Sequence, residues 1–418
     1  MIYGFVAAVQ PVWLLLAPRD YLSAFMKVGT ILVLCLAIIL VMPPLKLTAL
    51  TQFVDGTGPV FAGKLFPFAF ITIACGAVSG FHALVSSGTT PKMLRCEPDA
   101  RFVGYGSMLT ESLVGVMAMI AAATLDPGVY FAMNVGPATL GTTSAAAAQT
   151  VAQWGFTIAP DQLDALAKSM GESTLLSRTG GAPSLAVGMA GILGGVFTGP
   201  GLALWYHFAI MFEAVFILTT IDAGTRVGRF MLQELLAHAY APLGRTSWYP
   251  SIILSSFLVV AGWGYFLYQG VIDPLGGINS LWPLFGIANQ LLAAVALCVA
   301  TTVLVKMGRQ RYMWVPLVPL AWLAAATLTA GWQKVFSPDP KLGFLAHAES
   351  LATSTLPTAP RMIFNDRLDA GLALFFMAIV LIVILASARE WWMVLAGKKA
   401  PVVHEAPYVR SQLTESSA

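Results

Sequence analysis

Long apolar runs alternate with short polar segments along almost the whole chain. A helix that crosses a bilayer needs about 20 mostly apolar residues, because each residue advances a helix by about 1.5 Å. The pattern predicts an all-α, polytopic integral membrane protein with roughly nine transmembrane helices. The predicted runs are Ile2–Ala17, Val28–Met42, Leu65–Ser86, Phe102–Leu125, Leu202–Ile221, Ile252–Gly270, Leu281–Val305, Trp314–Trp332 and Leu372–Ser387.

One further apolar run, Leu185–Phe197, is about 13 residues long and is followed by a glycine- and proline-containing stretch. It is too short to cross a bilayer, so it is predicted to be re-entrant or the first half of a broken helix. In the polar segment before it, Asp161 follows Pro160 and is predicted to cap a short surface helix.

Composition and charge support the membrane assignment. Apolar residues make up 57% of the chain and charged residues 10%, against roughly 25% charged in soluble domains. With Arg19 on the cytoplasmic side, 15 of the 23 Lys and Arg residues fall on that side. This bias predicts a cytoplasmic carboxy terminus. The net charge of +3 gives no indication of a nucleic-acid partner, because the basic residues are spread among loops, and none is expected. The expected division is a transmembrane domain at 1–397 and a disordered tail at 398–418.

The stretch Cys75–Leu94, CGAVSGFHALVSSGTTPKML, carries polar groups into an apolar run. On one continuous helix Ser79, His82 and Ser86 would form a single polar stripe. Pro91 lacks an N–H group and is predicted to interrupt the helix. A polar stripe that enters a broken helix favours a transporter site, whereas a packed helix ending in a surface loop is the alternative. Further hydroxyl groups at the predicted break belong to Ser87, Thr89 and Thr90.

The string GFHALVSSGTTPKML within this stretch resembles the carbon starvation protein A family of bacterial inner-membrane transporters. The resemblance covers essentially the whole chain. It implies uptake of peptides during nutrient limitation, or of pyruvate with protons, through an amino-acid-transporter-like fold. The other supporting stretches are Phe53–Gly63, Trp205–Arg226, Asp273–Gln290 and Leu328–Asp339.

Members of that family carry a long set of amino-terminal spans that this sequence does not contain. The chain is therefore expected to be a carboxy-terminal portion. An inactive fragment, one half of a two-chain transporter with the other spans in trans, and a homo-oligomer are alternative states that stay open.

Ionisable side chains within apolar runs are costly, so each is a candidate for the substrate or ion pathway. His82 has an imidazole that exchanges a proton near neutral pH, as proton coupling requires. Glu111 and Glu213 are carboxyl groups at membrane depth that suit proton carriage, and His207 shares a run with Glu213. The structural alternatives are a histidine bonded between helices, and a Glu111 side chain that reaches water at the cytoplasmic end of its run.

Two adjacent amides, Asn289 and Gln290, lie inside the run Leu281–Val305. They either offer donors and acceptors to a substrate or bond one helix to another. Asp222 and Arg226, four residues apart, are predicted to form a local ion pair.

Catalytic and metal-binding patterns are missing from the sequence. It contains no H-E-x-x-H or G-x-S-x-G motif, and its four cysteines lie far apart without metal-ligand spacing. The sequence therefore predicts a transporter that is not an enzyme and that uses no cofactor.

Overall fold

The computed structural model describes residues 1–197, 199, 201–272, 281–354 and 356–401. Helix makes up 76% of it, and no strand occurs among the described residues. The all-α prediction is confirmed. Residues 273–280 of the family-like stretch Asp273–Gln290, and 402–418 of the predicted tail, lie outside the described residues.

Sixteen α-helices are found in the described part of the chain. Those in the first half are α1 (Ile2–Val9), α2 (Leu16–Val41), α3 (Leu65–Ile73), α4 (Gly80–Gly88), α5 (Asp99–Ala123), α6 (Pro127–Asn134), α7 (Pro137–Leu140), α8 (Ser144–Gln153), α9 (Pro160–Ser169) and α10 (Ala182–Val196). Those in the second half are α11 (Leu202–Ala237), α12 (Tyr249–Ile272), α13 (Leu281–Lys306), α14 (Trp314–Phe336), α15 (Phe344–Leu351) and α16 (Ala359–Leu395).

Eight segments of the described chain are long and apolar enough to cross a membrane. They correspond to the predicted runs from Val28–Met42 onward, and one of them is the broken segment Leu65–Lys92. The run Ile2–Ala17 does not form a ninth span, because α1 has only 8 residues and α2 begins at Leu16. Pro11 explains this difference, since it cannot donate the hydrogen bond that would continue α1.

The chain divides into two compact units. Unit 1 comprises residues Met1–Lys64 and Ser107–Leu281, and unit 2 comprises Leu65–Gly106 and Trp282–Ala418. Each unit thus combines segments that are far apart in sequence. Whether 1–397 acts as one transmembrane domain stays a prediction.

Helix α10 lies in the core of unit 1, where it packs against α2, α6 and α11. Its glycine at position 188 lies so close to Ala121 that a Cβ would overlap the Ala121 backbone. The 15-residue length fits the prediction of a helix too short to cross. The short helix after Pro160 is also present as α9, but its N-cap residue is Ala159, and Asp161 lies in its first turn.

Unit 2 contains α3, α4 and α13 to α16. Helix α14 packs against α3, α15 and α16, and the 37-residue α16 is the longest helix of the unit. This arrangement places the broken segment of α3 and α4 within a bundle of long apolar helices.

Candidate transport site at a broken helix

The candidate site is built on an interruption of the segment that contains α3 and α4. Helix α3 ends at Ile73, a 3₁₀ turn follows at Ala74–Gly76, and α4 begins only at Gly80. Ala74 has a left-handed backbone with φ 50°, which is uncommon for any residue other than glycine. A second interruption follows α4, where Thr90–Lys92 forms a 3₁₀ turn. The break predicted from Pro91 is confirmed, whereas the break at Ala74 was not predicted.

The first break changes the role of Ser79. The predicted stripe of Ser79, His82 and Ser86 is wrong in one member, because Ser79 precedes α4 as its N-cap. Its Oγ accepts a hydrogen bond of 3.0 Å from the backbone N–H of His82 and so satisfies one unpaired donor at the helix start. His82 and Ser86 do lie on α4, and both are exposed. The His82 ring contacts the Phe81 ring at 6.0 Å between centroids.

The remaining hydroxyl groups bond back to their own helix. Each donates to a carbonyl three to five residues earlier, so its oxygen keeps acceptor capacity while its proton is engaged. The donors are Ser86 and Ser87 to Ala83, and Thr89 and Thr90 to Val85, at 2.9 to 3.3 Å.

The amide of Asn289, on α13, serves both sides of the first break. Its Oδ1 accepts from the backbone N–H of Phe81 at 2.9 Å, and its Nδ2 donates to the carbonyl of Val78 at 3.4 Å. Asn289 is 4% exposed. One buried amide therefore satisfies a donor at the start of α4 and an acceptor in the interrupted stretch.

Gln290 serves the carbonyl end of α3. Its Nε2 donates to the carbonyl of Ala74 at 2.5 Å and to that of Phe70 at 3.4 Å. The side chain is fully buried, and its Oε1 has no hydrogen-bond partner among the described residues. Of the two roles predicted for these amides, the structure shows the bonding of one helix to another.

Two glycines allow α13 to approach the broken segment this closely. A Cβ on Gly286 would overlap the backbone carbonyl of Ile71, and a Cβ on Gly80 would overlap the backbone of Asn289. Close approach of backbones through small residues is typical of membrane helices. Gly76, in the 3₁₀ turn, has only the Ile73 side chain within 4 Å of a Cβ position among the described residues.

The other predicted pathway residues belong to unit 1. Glu111 on α5 is exposed and has an interaction partner. On α11, His207 is exposed, Glu213 is half-buried, and the neighbouring Tyr206 is 1% exposed. The break therefore brings together the candidates of unit 2, whereas these three belong to a separate set.

The family described as Carbon starvation protein CstA matches residues 1–330. The chain belongs to this family. The resemblance drawn from the quoted stretches is confirmed.

Three relatives illustrate the range of the CstA family. The chain is 57% identical to the peptide transporter CstA of Escherichia coli (strain K12), over 97% of this chain and 60% of that protein. It is 50% identical to the peptide transporter CstA of Helicobacter pylori (strain ATCC 700392 / 26695), over 98% and 62%. It is 49% identical to the pyruvate/proton symporter BtsT of Escherichia coli (strain K12), over 97% and 61%. The chain thus spans about three fifths of the length of these curated relatives. No solved structure matches it.

Several buried charges in this CstA-family chain were missed as functional candidates. Lys334 is 2% exposed and lies 5.8 Å from the ring centroids of Phe68 and Phe344. Asp366 pairs with Nδ1 of His347 at 2.8 Å. These residues lie between the predicted runs Trp314–Trp332 and Leu372–Ser387, and α14, α15 and α16 extend into that segment.

The charged face of α11 was also misassigned. The predicted Asp222–Arg226 pair is wrong, because Asp222 pairs with Arg19 at 2.5 Å and accepts from the Tyr3 hydroxyl at 2.9 Å. Arg226 instead donates to backbone carbonyls of α1. Its partners lie more than 200 residues away, so spacing within α11 carries no signal for them.

Proposed function

We propose that this chain takes up small organic solutes by secondary active transport, with peptides as the first substrate class. The carrying observation is the 57% identity to a peptide transporter over 97% of the chain. The interrupted segment held by α13 supports it, because discontinuous helices form the substrate sites of many secondary transporters. In this proposal the chain is a carrier and not an enzyme.

Pyruvate is the second candidate substrate, because a pyruvate/proton symporter is 49% identical over 97% of the chain. The same relative supports protons as the coupling ion. We assign proton exchange to His82 and Glu213, with Glu111 and His207 as further pathway groups. His82 and Ser86 lie on α4 beside the break, and their exposed side chains are assigned to the solute pathway in this proposal.

The proposed location is the bacterial inner membrane, with the carboxy terminus in the cytoplasm. Eight segments apolar enough to span the bilayer support a multi-pass protein. The bias of Lys and Arg toward the side of Arg19 supports the orientation.

Uptake of labelled dipeptide and labelled pyruvate tests the proposal, in cells that lack their own carriers for both. We expect dipeptide accumulation that depends on a pH gradient. His82→Ala should abolish the pH-gradient dependence at normal expression, because the proton acceptor at the break is lost. His238→Ala is the matched control, since His238 is an exposed histidine just after α11.

A wild-type chain that accumulates pyruvate and not dipeptide would support the second substrate instead. Unchanged pH dependence in His82→Ala would remove His82 from the coupling mechanism. Equal losses in both histidine variants would show that the effect is not specific to the break.

A further inference from the structure

Helix α1 ends within unit 1 at a proline. The last four carbonyls of a helix have no partner within it, and Pro11 has no N–H to offer to Ala7. The N–H of Gln10 bonds to the carbonyl of Val6, so the carbonyls from Ala7 onward still lack a donor within α1. Ala7 and Ala8 are 1% and 0% exposed, so water is not at hand to replace the missing donors.

Two arginines of α11 supply those donors. Arg226 donates through one nitrogen to Ala7 at 2.5 Å and through the other to Gln10 at 2.7 Å. Arg229 donates through one nitrogen to Ala8 at 2.6 Å. The two arginines are three residues apart and therefore lie on one face of α11. Three carbonyls at the end of α1 are thus bonded to guanidinium groups.

These guanidinium groups make no direct contact with a carboxylate in the described part of the chain, although Asp222 attracts Arg226 at longer range. They are 1% and 5% exposed, and neither forms an ion pair in the described part of the chain. Asp222, one turn before Arg226, is engaged by Arg19 and Tyr3. The partial negative charge at the carbonyl end of α1, equivalent to about half an electron, is in direct contact with both guanidinium groups and compensates part of their charge.

In secondary transporters with interrupted helices, unwound carbonyls and half-helix carbonyl ends coordinate the coupling Na⁺. We propose that Arg226 and Arg229 are built-in cations that occupy such a carbonyl site at the end of α1, so that no Na⁺ is needed there. The inference rests on the proposed transport function for its meaning, and it defines the ion specificity of that function.

The two arginines differ in how they could be replaced. Arg226 bridges two carbonyls with two nitrogens, whereas Arg229 reaches one carbonyl with one nitrogen. A lysine ammonium is a single point donor and cannot reproduce a fork of that width. Arg229→Lys should therefore keep the wild-type melting temperature, and Arg226→Lys should lower it.

Thermal unfolding of the purified full chain in detergent tests the built-in cation directly, in NaCl against choline chloride at equal concentration. Wild type should melt at the same temperature in both salts. The double variant Arg226→Ala, Arg229→Ala should melt at least about 2 °C lower in choline chloride and recover in NaCl, because it frees all three carbonyls and Na⁺ can then enter the vacated site and stabilise the folded state. Arg245→Ala, in an exposed loop, should show neither effect.

Two outcomes would overturn the inference. One is a wild-type melting temperature that rises specifically with Na⁺, which would show that the site still takes the ion. The other is a loss in the double variant that NaCl does not reverse, which would make the arginines structural bonds alone. If the double variant does not fold, the wild-type comparison decides, since a melting temperature that rises specifically with Na⁺ would contradict a site already filled by the arginines.

Uptake separates this inference from the proposed function. Dipeptide accumulation by wild type should be the same in sodium and choline media. A chain that transports nothing in either medium would refute the transport proposal. The melting comparison would still show whether the arginines take the place of Na⁺. Uptake that requires Na⁺ would refute the inference and leave transport intact.

Discussion

At two helix ends of this chain, side chains from another helix bond the backbone groups that have no partner within the helix, and the two ends use different side-chain chemistry. In unit 2, the gap between α3 and α4 is bonded by the neutral amides of Asn289 and Gln290. In unit 1, the end of α1 is bonded by the charged groups of Arg226 and Arg229. In each unit the bonding side chains come from a single long helix, α13 in unit 2 and α11 in unit 1.

The difference follows from which backbone groups are exposed. The gap between α3 and α4 presents carbonyls at one end and N–H groups at the other, and an amide both donates and accepts. The end of α1 presents carbonyls alone, and a guanidinium group only donates. The chemistry of the missing backbone bonds therefore dictates the side chain that replaces them.

Gln290→Glu is the strongest test of whether the gap between α3 and α4 requires uncharged side chains. A protonated carboxyl can still donate to Ala74, but a carboxylate cannot, and it would be buried without a cation. The variant should be near wild type at pH 5 and lose stability as pH rises toward 8, by roughly 3 to 5 kcal/mol. Melting temperature against pH, measured on detergent-purified protein, gives the result.

Two variants control that measurement. Gln290→Leu should lose about 1 to 3 kcal/mol at every pH, because Ala74 keeps only the 3.2 Å bond from the Ala77 N–H and the side-chain donor to Phe70 is also lost. Asn289→Asp should respond to pH less than Gln290→Glu, since a carboxylate still accepts from Phe81. A pH-independent melting temperature in Gln290→Glu would show that this position tolerates charge.

The gap between α3 and α4 and the end of α1 also differ in how closely the neighbouring helices pack. A Cβ on Gly286 meets the Ile71 backbone, whereas a Cβ on Gly4 of α1 meets only side-chain atoms, of Trp263 at 2.9 Å and Ile221 at 3.1 Å. Gly286→Ala should lose about 1 to 3 kcal/mol of unfolding free energy, and Gly4→Ala less, because a side chain moves more easily than backbone.

Gly371→Ala is the control for this series. Gly371 lies in α16 with nothing within 4 Å of a Cβ, so the variant should gain about 0.5 to 1 kcal/mol from helix propensity. Melting temperatures should rank Gly371→Ala above Gly4→Ala and Gly4→Ala above Gly286→Ala. If Gly286→Ala and Gly371→Ala melt alike, the close approach of α13 is contradicted.

Much of the architecture could be predicted because hydropathy is a local property. The runs from Val28–Met42 onward were read correctly, since each carries its own apolar residues. The break after α4 was also predicted, because Pro91 acts on its immediate neighbours. The end of α1 was missed, although Pro11 offered the same kind of signal within the run Ile2–Ala17.

The break at Ala74 and the role of Arg226 could not be predicted in the same way. No proline lies between Ala74 and Ser79, and the gap there is bonded by amides more than 200 residues later. Arg226 likewise bonds to carbonyls 216 and 219 residues away. Spacing along one helix identifies which groups share a face, but it does not identify the backbone that they contact.

The smallest expected effect concerns backbone strain, which is present in the gap between α3 and α4 and absent at the end of α1. Ala74 has φ 50°, in the left-handed region, whereas Gln10 at the end of α1 has φ −74°. Ala74→Gly should raise the free energy of unfolding by less than about 1 kcal/mol, because relief of the left-handed strain exceeds the entropy that glycine adds to the unfolded chain. Gln10→Gly has no strain to relieve and should lower it slightly. Paired melting curves decide the point, and a loss of stability in Ala74→Gly as large as that in Gln10→Gly would mean that the left-handed turn carries no strain.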